Sequence, residues 1–206
     1  MHIRAGIPAY PRALYGPKSR ARAEADYFSN LEQFPGSWNV APGGTLPIIR
    51  LSRDGAIEQV TARWGFVPCW AKEEKLGYKC INARAETIAR APAFRDPYRR
   101  KRRCLVPASG FYEWQKGPAG KTPYYITSAD ESLLAFAGLW DIWRKPDGEK
   151  LTTFTVITTT PNEFVKRLHD RMPVILEPEN FVRGSKPTIP ESCSGRAQFR
   201  CSSAIR

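Results

Sequence analysis

The chain has 206 residues, of which 42% are hydrophobic and 12% aromatic, enough for one domain with a sizeable core. Its 32 Lys and Arg against 20 Asp and Glu give a formal charge of +12, which favours a polyanionic partner, nucleic acid above all, although a merely cationic surface has the same balance. No stretch reaches the ~18 consecutive apolar residues of a membrane span, and the first residues lack the apolar core of a secretory signal, so we expect a soluble, cytoplasmic protein.

Short apolar runs separated by Gly, Pro, Asp or Lys dominate the middle of the chain. Helical spacing precedes them at 18–34 and returns at 88–100 and 162–168. The runs that predict strands are LPIIRL at 46–51, AIEQVTARWGF at 56–66, YYIT at 124–127, LLAFAGLW at 133–140 and LTTFTVITTT at 151–160. This order lacks regular βα alternation and predicts an α+β fold with a mostly antiparallel, curved or barrel-like β core and peripheral helices.

Sequence signatures of a cofactor or a metal are missing. The chain lacks GxGxxG, GxxxxGK[ST] and HExxH. Its 5 cysteines are odd in number and irregularly spaced, which fits neither a disulfide framework nor paired zinc knuckles. We therefore expect no cofactor and no metal.

Glu113 and His169 are the candidates for acid–base chemistry. Glu113 lies in SGFYEW at 109–114, where desolvation by aromatic neighbours would raise the pKa of its carboxyl towards neutrality. His169 lies in LHDRMPVIL at 168–176, and an imidazole can act as acid or base near neutral pH. Each could instead be structural, Glu113 in an ion pair with an arginine and His169 as a hydrogen-bonded core residue.

Two polar residues in INARAE, at 81–86, suggest a grip on a nucleotide. Asn82 and Arg84 alternate on a short extended stretch, so both would face one pocket. An amide can hydrogen-bond a sugar oxygen while a guanidinium binds phosphate through two hydrogen bonds. An ordinary buried network of Asn and Arg is the alternative.

Aromatic and basic runs also suggest binding of nucleic acid. WGFVPCW at 64–70 carries two indoles, of which Trp70 could stack on a base while Trp64 suits the core. The basic run YRRKRR at 98–103 looks like a track for phosphates, although a solvated face is the common alternative.

Several of these strings resemble the SRAP family (SOS response-associated peptidase) when they are taken together. NVAPG, WGFVPCW, INARAE, SGFYEW and LHDRMPVIL occur in one order and at suitable spacing, over about residues 38–180. The resemblance implies one SRAP-like domain at 1–180, and we expect the polar tail 181–206 to be poorly packed. It also implies that a monomer, bound to the bacterial nucleoid and not to a membrane, recognises abasic sites in single-stranded DNA.

The resemblance further implies a covalent mechanism. In that family the initiator Met is removed, and the amine and thiol of the following cysteine close a stable thiazolidine on the aldehyde of an abasic deoxyribose. The catalytic residues carried over are Asn82, which positions the reacting end, Glu113, which moves protons at the nucleophile, and His169, which helps to open the sugar. The DNA-binding residues carried over are Asn39 and Arg84, which hold the backbone, and Pro42 and Trp70, which lie in DNA-facing loops.

This chain departs from the family pattern at its start. It reads MHIR where the family reads MCGR, and its first cysteine is Cys69. Three functions are therefore open: capture of abasic sites, non-covalent binding of single-stranded DNA by a protein that has lost cross-linking, and a peptidase in which Cys69 is the nucleophile.

Overall fold

The computed structural model describes residues 2–5, 37–118, 120–129, 132–177, 180–181 and 199–203, and for 2–5, 37–38 and 199–203 it describes the backbone alone. The helix predicted at 18–34 lies outside these residues.

Strands dominate the described residues. They are β1 (His2–Ala5), β2 (Ser37–Val40), β3 (Thr45–Leu51), β4 (Ile57–Trp64), β5 (Asn82–Arg84), β6 (Arg103–Ala108), β7 (Gly110–Gly117), β8 (Gly120–Ser128), β9 (Leu134–Arg144), β10 (Lys150–Thr159), β11 (Met172–Pro173), β12 (Ile175–Leu176) and β13 (Phe199–Ser203). Helix α1 spans Arg95–Arg99, and 3-10 helices span Glu74–Lys79 and Val165–Arg167. Each run that predicted a strand overlaps one of these strands.

Five of the strands close into a barrel. β10, β4, β3, β6 and β9 each pair with the next, and β9 pairs back with β10. Only the β4–β10 pair among these is parallel. β5 continues beside β10, while β11 pairs with β10 and β12 with β9. The predicted mostly antiparallel, barrel-like core is confirmed.

A second sheet with the order β13-β8-β7-β1-β2 packs on the barrel. Phe111 of β7 and Ile126 of β8 are fully buried in the same cluster as Phe136 and Phe154, which lie inside the barrel. The polar tail contributes to this sheet, because β13 pairs with β8 over five residues, from Phe199 to Ser203.

Alternation along the barrel strands separates an inner from an outer core. On β3, Ile48 faces the interior cluster, while Ile49 faces an outer cluster with Leu105. Phe66 and Phe94 pack edge-to-face with centroids 5.5 Å apart in this outer cluster. The segment between β4 and α1 therefore covers one side of the barrel.

The helical predictions were too long. In 88–100, α1 covers only Arg95–Arg99, preceded by turns, and it holds Pro97 in its first turn, where the missing N–H of proline costs little. In 162–168 there is a 3-10 turn, and the side chain of Asn162 accepts a hydrogen bond from the Val165 N–H at 2.9 Å. The predicted helix start is thus present, but a short 3-10 helix follows it in place of an α-helix.

Candidate functional site

Glu113 is a buried carboxyl on β7. It lies two residues after Phe111 and so faces the same core, and only 4% of the residue is exposed. Burial raises the pKa of this carboxyl, against the smaller opposing effects of the positive charges of the amino terminus and His169. A carboxyl of this kind is a stronger base than an exposed glutamate, which suits it to take up a proton.

His169 turns one edge of its ring towards Glu113. Its backbone N–H donates to the carbonyl of Val165, which fixes the residue at the end of the 3-10 turn. Its Nε2 lies 3.9 Å from Oε2 of Glu113. The sequence-predicted acid–base residues are therefore neighbours, although they lie 56 positions apart in the chain (169 − 113).

The other ring nitrogen of His169 has competing partners. Nδ1 lies 3.1 Å from the backbone N–H of Arg171 and also 3.1 Å from a carboxylate oxygen of Asp170. The amide favours Nδ1 as an acceptor, whereas the carboxylate favours a protonated ring. The Arg171 carbonyl oxygen, 3.3 Å from Nδ1, and the Asp170 carboxylate both suit a ring that carries a proton on Nδ1 as well as on Nε2, the imidazolium form in which a histidine acts as an acid. Nε2 then carries the proton that faces Glu113.

The start of the chain runs beside Glu113. β1 pairs with β7 in the register His2↔Tyr112 and Ile3↔Phe111. Position 2, where the resembling family has its cysteine, is thus held next to the residue that precedes Glu113. In this chain the position holds His2.

Asn82 and Arg84 lie on β5 as the sequence predicted, at the edge of the same core. Asn82 pairs in register with Val156, a member of the interior cluster that also contains Phe111. The Oδ1 of Asn82 is buried and has no hydrogen-bond partner among the residues the structure describes. Because buried polar atoms normally have partners, this oxygen is suited to receive a donor from a ligand.

An ion pair that the sequence did not predict ties this region to His169. Arg171 donates through Nη1 and Nη2 to both carboxylate oxygens of Glu86, at 2.8 and 2.9 Å, and through Nη2 to the carbonyl of Thr158 at 2.7 Å. The interaction joins the end of β5 to the segment before β11 across the end of β10. We call the Glu86–Arg171 pair the strut, since the Arg171 backbone also holds the His169 ring.

Asn39 and Pro42 lie near the end of β2, and the turn that holds Pro42 contacts an aromatic residue that the sequence did not predict. Asn39 is exposed near the end of β2, and Pro42 lies in the turn that follows. In that turn Gly43 has φ +93°, and a Cβ there would lie 3.0 Å from the hydroxyl of Tyr78. Tyr78 is 57% exposed, with the guanidinium of Arg63 5.0 Å from its ring centroid. The residues on either side of it in the sequence, Gly77 and Lys79, gave no signal that this ring would be exposed.

Trp70 and Cys69 lie in the segment between β4 and the 3-10 helix Glu74–Lys79. Trp70 is 58% exposed, and the next residue, Ala71, accepts a hydrogen bond from Nε1 of Trp143 near the end of β9. Cys69 is an exposed free cysteine. No contact among the described residues joins Cys69 to Glu113 or His169.

Metal-binding clusters and membrane-spanning helices are absent from the described parts of the chain. No group of three or more His, Cys, Asp and Glu residues there could hold a metal ion. No helix among those residues is long and apolar enough to cross a membrane.

Fold and site together define a protein with a closed β-barrel, a second sheet packed on it, and a buried carboxyl–imidazole pair. The chain belongs to the SOS response associated peptidase (SRAP) family, whose pattern matches residues 12–185. This range extends further towards the N-terminus than the 38–180 expected from the motifs.

Its relatives are named for abasic sites. The chain is 47% identical over 157 residues to the abasic site processing protein YoqW of Bacillus subtilis (strain 168), covering 75% of this chain and 69% of YoqW. It is 34% identical over 176 residues to the abasic site processing protein HMCES of Gallus gallus, covering 71% of this chain and 52% of HMCES. It thus spans about half the length of the vertebrate relative.

Solved structures agree with the fold. A crystal structure of a protein from Bacteroides thetaiotaomicron matches with a TM-score of 0.71 and 32% identity, covering 82% of this chain and 78% of that one.

Proposed function

We propose that this protein binds single-stranded DNA and holds an abasic deoxyribose against Glu113 and His169, so that the sugar opens to its reactive aldehyde. The observation that carries the proposal is the buried Glu113 carboxyl, with a raised pKa, 3.9 Å from Nε2 of His169. The relatives named as abasic site processing proteins support the choice of substrate.

Ring opening needs one base and one acid, and the pair offers both. Glu113 as the carboxylate takes the proton of the C1′ hydroxyl, for which a raised pKa makes it more basic. His169, acting as the imidazolium, gives its Nε2 proton to the ring oxygen O4′ as the C1′–O4′ bond breaks and the C1′ carbonyl forms, and it is left as the neutral imidazole. The proton then passes from Glu113 back to His169, which restores both groups.

The polar and aromatic residues around the pair suit the rest of the strand. Arg84 and Asn39 are exposed and can bind backbone phosphates, and the free Oδ1 of Asn82 can accept a hydrogen bond from the sugar. Trp70 and Tyr78 present exposed rings on which bases could stack. We infer that the single-stranded form is preferred, because stacking on a protein ring needs unpaired bases.

The covalent step of the family calls for an amine and a thiol at position 2. An amine that attacks the aldehyde and loses water forms a Schiff base, and a thiol that adds to it closes a thiazolidine. With His2 at this position, we expect the Schiff base, formed by an amine of the chain, to be reversible and to lack a thiol that traps it.

The test is incubation with single-stranded DNA that carries one abasic site, followed by denaturing gel electrophoresis with and without borohydride. We expect an adduct only with borohydride, and none with intact DNA. A heat-stable adduct without reductant would show that another thiol stands in for the cysteine. Absence of any adduct would contradict the chemistry proposed for Glu113 and His169 and would favour the non-covalent DNA-binding function.

The variant His2→Cys should gain the ability to form a stable covalent adduct. Because cysteine is small, the initiator Met can be removed, which places an amine and a thiol next to Tyr112 in the register of β1. We expect a heat-stable adduct without borohydride. The matched control is His2→Ala, which is also small but has no thiol, and its adduct should still depend on borohydride. If both variants behave alike, position 2 is not the attachment point.

Peptidase activity finds less support. It would need a nucleophile close to Glu113 and His169, and no contact among the described residues joins the exposed Cys69 to either of them. The variant Cys69→Ser should leave the borohydride-trapped adduct unchanged. Loss of a measurable peptide turnover in the same variant would revive the peptidase function.

A further inference from the structure

Two guanidinium groups lie on one tryptophan at the end of the barrel where β3 finishes and β6 begins. The guanidinium carbon of Arg50 lies 3.9 Å from the ring centroid of Trp140, and that of Arg102 lies 5.4 Å from it. Arg50 pairs in register with Cys104, so Arg50 and Arg102 are diagonal neighbours on adjacent strands. Such contacts hold both cations in place, since a guanidinium is attracted to the face of an indole.

Positive charge exceeds negative charge at this end of the barrel. Arg50 is paired with Glu58 at 2.5 Å, and Arg102 with Asp141. Arg53 and Arg100 are exposed and form no ion pair with any residue the structure describes. We call Arg50, Arg53, Arg100 and Arg102 the arginine cluster, whose four positive charges face the carboxylates of Glu58 and Asp141 and that of Asp54, which follows Arg53 in the chain.

The cluster is crowded enough for its members to act on one another. Desolvation lowers the pKa of Arg102 most, and the positive charges of Arg100, Arg53 and Arg50 lower it further. Nη1 of Arg50 is buried without a hydrogen-bond partner among the described residues. An anion at this place would offset the repulsion and would give acceptors to unsatisfied donors.

The arginine cluster lies apart from Glu113 but close to the segment that holds Trp70. Arg102 precedes β6, whose six residues span roughly 20 Å at about 3.3 Å per residue, whereas Glu113 lies on β7 of the second sheet, which follows the other end of β6. On the near side, Ala71, which follows the exposed Trp70, accepts a hydrogen bond at 2.8 Å from Nε1 of Trp143, three residues along β9 from Trp140. A DNA strand that extends beyond Trp70 would therefore reach the arginine cluster.

We propose that the arginine cluster is a second DNA-binding site, which takes the backbone phosphates of the strand beyond Trp70. The proposal rests on the single-stranded DNA binding proposed above. Guanidinium groups fit phosphate oxygens with two parallel hydrogen bonds, and they do so without reading the base sequence. The cluster thus gives a function to YRRKRR at 98–103, of which Arg100 and Arg102 are part.

Three double variants test the cluster. Arg53→Gln/Arg100→Gln removes two exposed, unpaired cations and should not disturb folding. Lys116→Gln/Lys121→Gln is its control, since it removes two exposed charges that face each other across the β7–β8 hairpin. Arg102→Gln/Asp141→Asn removes one guanidinium without changing the net charge, and the amide oxygen introduced at position 141 can still accept the N–H of Ile142 as the Asp141 carboxylate does.

The measurement is the affinity for a lesion-free single strand of about twenty nucleotides at several salt concentrations, because the slope of log K against log salt is about −0.7 per phosphate contact. We expect the slope to become shallower by roughly 1.4 for Arg53→Gln/Arg100→Gln and by roughly 0.7 for Arg102→Gln/Asp141→Asn. The lysine control should keep the wild-type slope. Thermal unfolding confirms that each variant is folded.

Two results would overturn the proposal. One is a salt slope for Arg53→Gln/Arg100→Gln that does not differ from the wild-type slope or from the slope of the lysine control. A match with the lysine control would mean that the effect is one of net charge. The other is a poly-glutamate peptide that the protein binds more tightly than DNA, if the cluster variants abolish the binding of that peptide. Failure of the abasic-site function is scored separately, by adduct formation, because the salt experiment uses DNA without a lesion.

Discussion

At the scale of single residues, Glu113 links the chemistry of the site to the stability of the fold. Burial raises the pKa of its carboxyl in the folded protein. Over the interval between the ordinary and the raised pKa, the folded state keeps a proton that the unfolded state has released. Folding is therefore favoured by this group below the ordinary pKa of a glutamate, and the contribution is lost as the pH rises through the raised pKa.

We predict that Glu113→Gln removes this pH dependence. Each unit of pKa shift corresponds to about 1.4 kcal/mol in the free energy of unfolding. Urea unfolding from about pH 4 to about pH 8 should show the wild type losing stability relative to the variant as the pH rises. Glu163→Gln, at a side chain that is 90% exposed, is the control and should follow the wild type. A difference for Glu113→Gln that is constant with pH would contradict a raised pKa.

The acid–base residues could be found from the sequence because their neighbours are informative. Three aromatic residues flank Glu113, and a carboxyl in such surroundings is either paired or shifted in pKa. Tyr78 could not be found, since its exposure depends on the contact of Gly77 with Gly65, where a Cβ on Gly77 would lie 2.6 Å from the Gly65 carbonyl oxygen. That approach is a property of the folded chain alone.

At the scale of elements, long strands were predictable and short ones were not. β3, β9 and β10 have runs of apolar and β-branched residues that stand alone as strand signals. β11 and β12 have two residues each, and they are strands only because the chain there fits between β9 and β10. Such pairing joins residues far apart in sequence and has no local signal.

The strut is the element-scale feature with a functional consequence. Its partners lie 85 positions apart, so no local pattern in the sequence could reveal it. The side chain of Glu86 is 46% exposed, and an ion pair of that exposure contributes about 0–1 kcal/mol to stability. Its effect on the fold is therefore small, while its effect on the direction of the His169 ring can be large.

We predict that Glu86→Gln lowers the yield of borohydride-trapped adduct at least several-fold, with little change in the temperature of unfolding. The variant releases the Arg171 side chain and loosens the backbone that holds Nδ1 of His169. The pH profile of trapping should also broaden, because His169 no longer faces Glu113 in one orientation. Histidine NMR resonances measured alongside should report the altered ring.

The control for the strut is Glu149→Gln. Glu149 also pairs with a cation, Lys145 at 2.5 Å, and its side chain is 64% exposed, but it lies in the β9–β10 hairpin. Adduct yield in this variant should equal that of the wild type. If Glu86→Gln behaves in the same way, the strut does not position His169.

At the scale of the whole molecule, the two sheets and the tail raise the question of where the domain ends. The motifs predicted a domain at 1–180, and Phe181, only 2% exposed, packs in the outer core at that boundary. β13 nevertheless pairs with β8 along five residues of the tail. Polar composition concealed this strand, because backbone pairing at the edge of a sheet needs no apolar period.

We predict that a chain ending at residue 181 is less stable than one ending at residue 203. Without β13, the backbone from Tyr124 to Ser128 becomes the unpaired edge of the second sheet, and such an edge invites pairing with another molecule. Thermal unfolding and size-exclusion chromatography should show a lower melting temperature and larger species for the shorter chain alone. Equal behaviour of the two would mean that 1–180 is the complete folding unit and that the β8 edge is protected by its twist or by its own side chains. Because β8 backs β7 in the register Glu113↔Tyr124, a loss of β13 that also reduced adduct formation would show that the tail supports the strand on which the carboxyl lies.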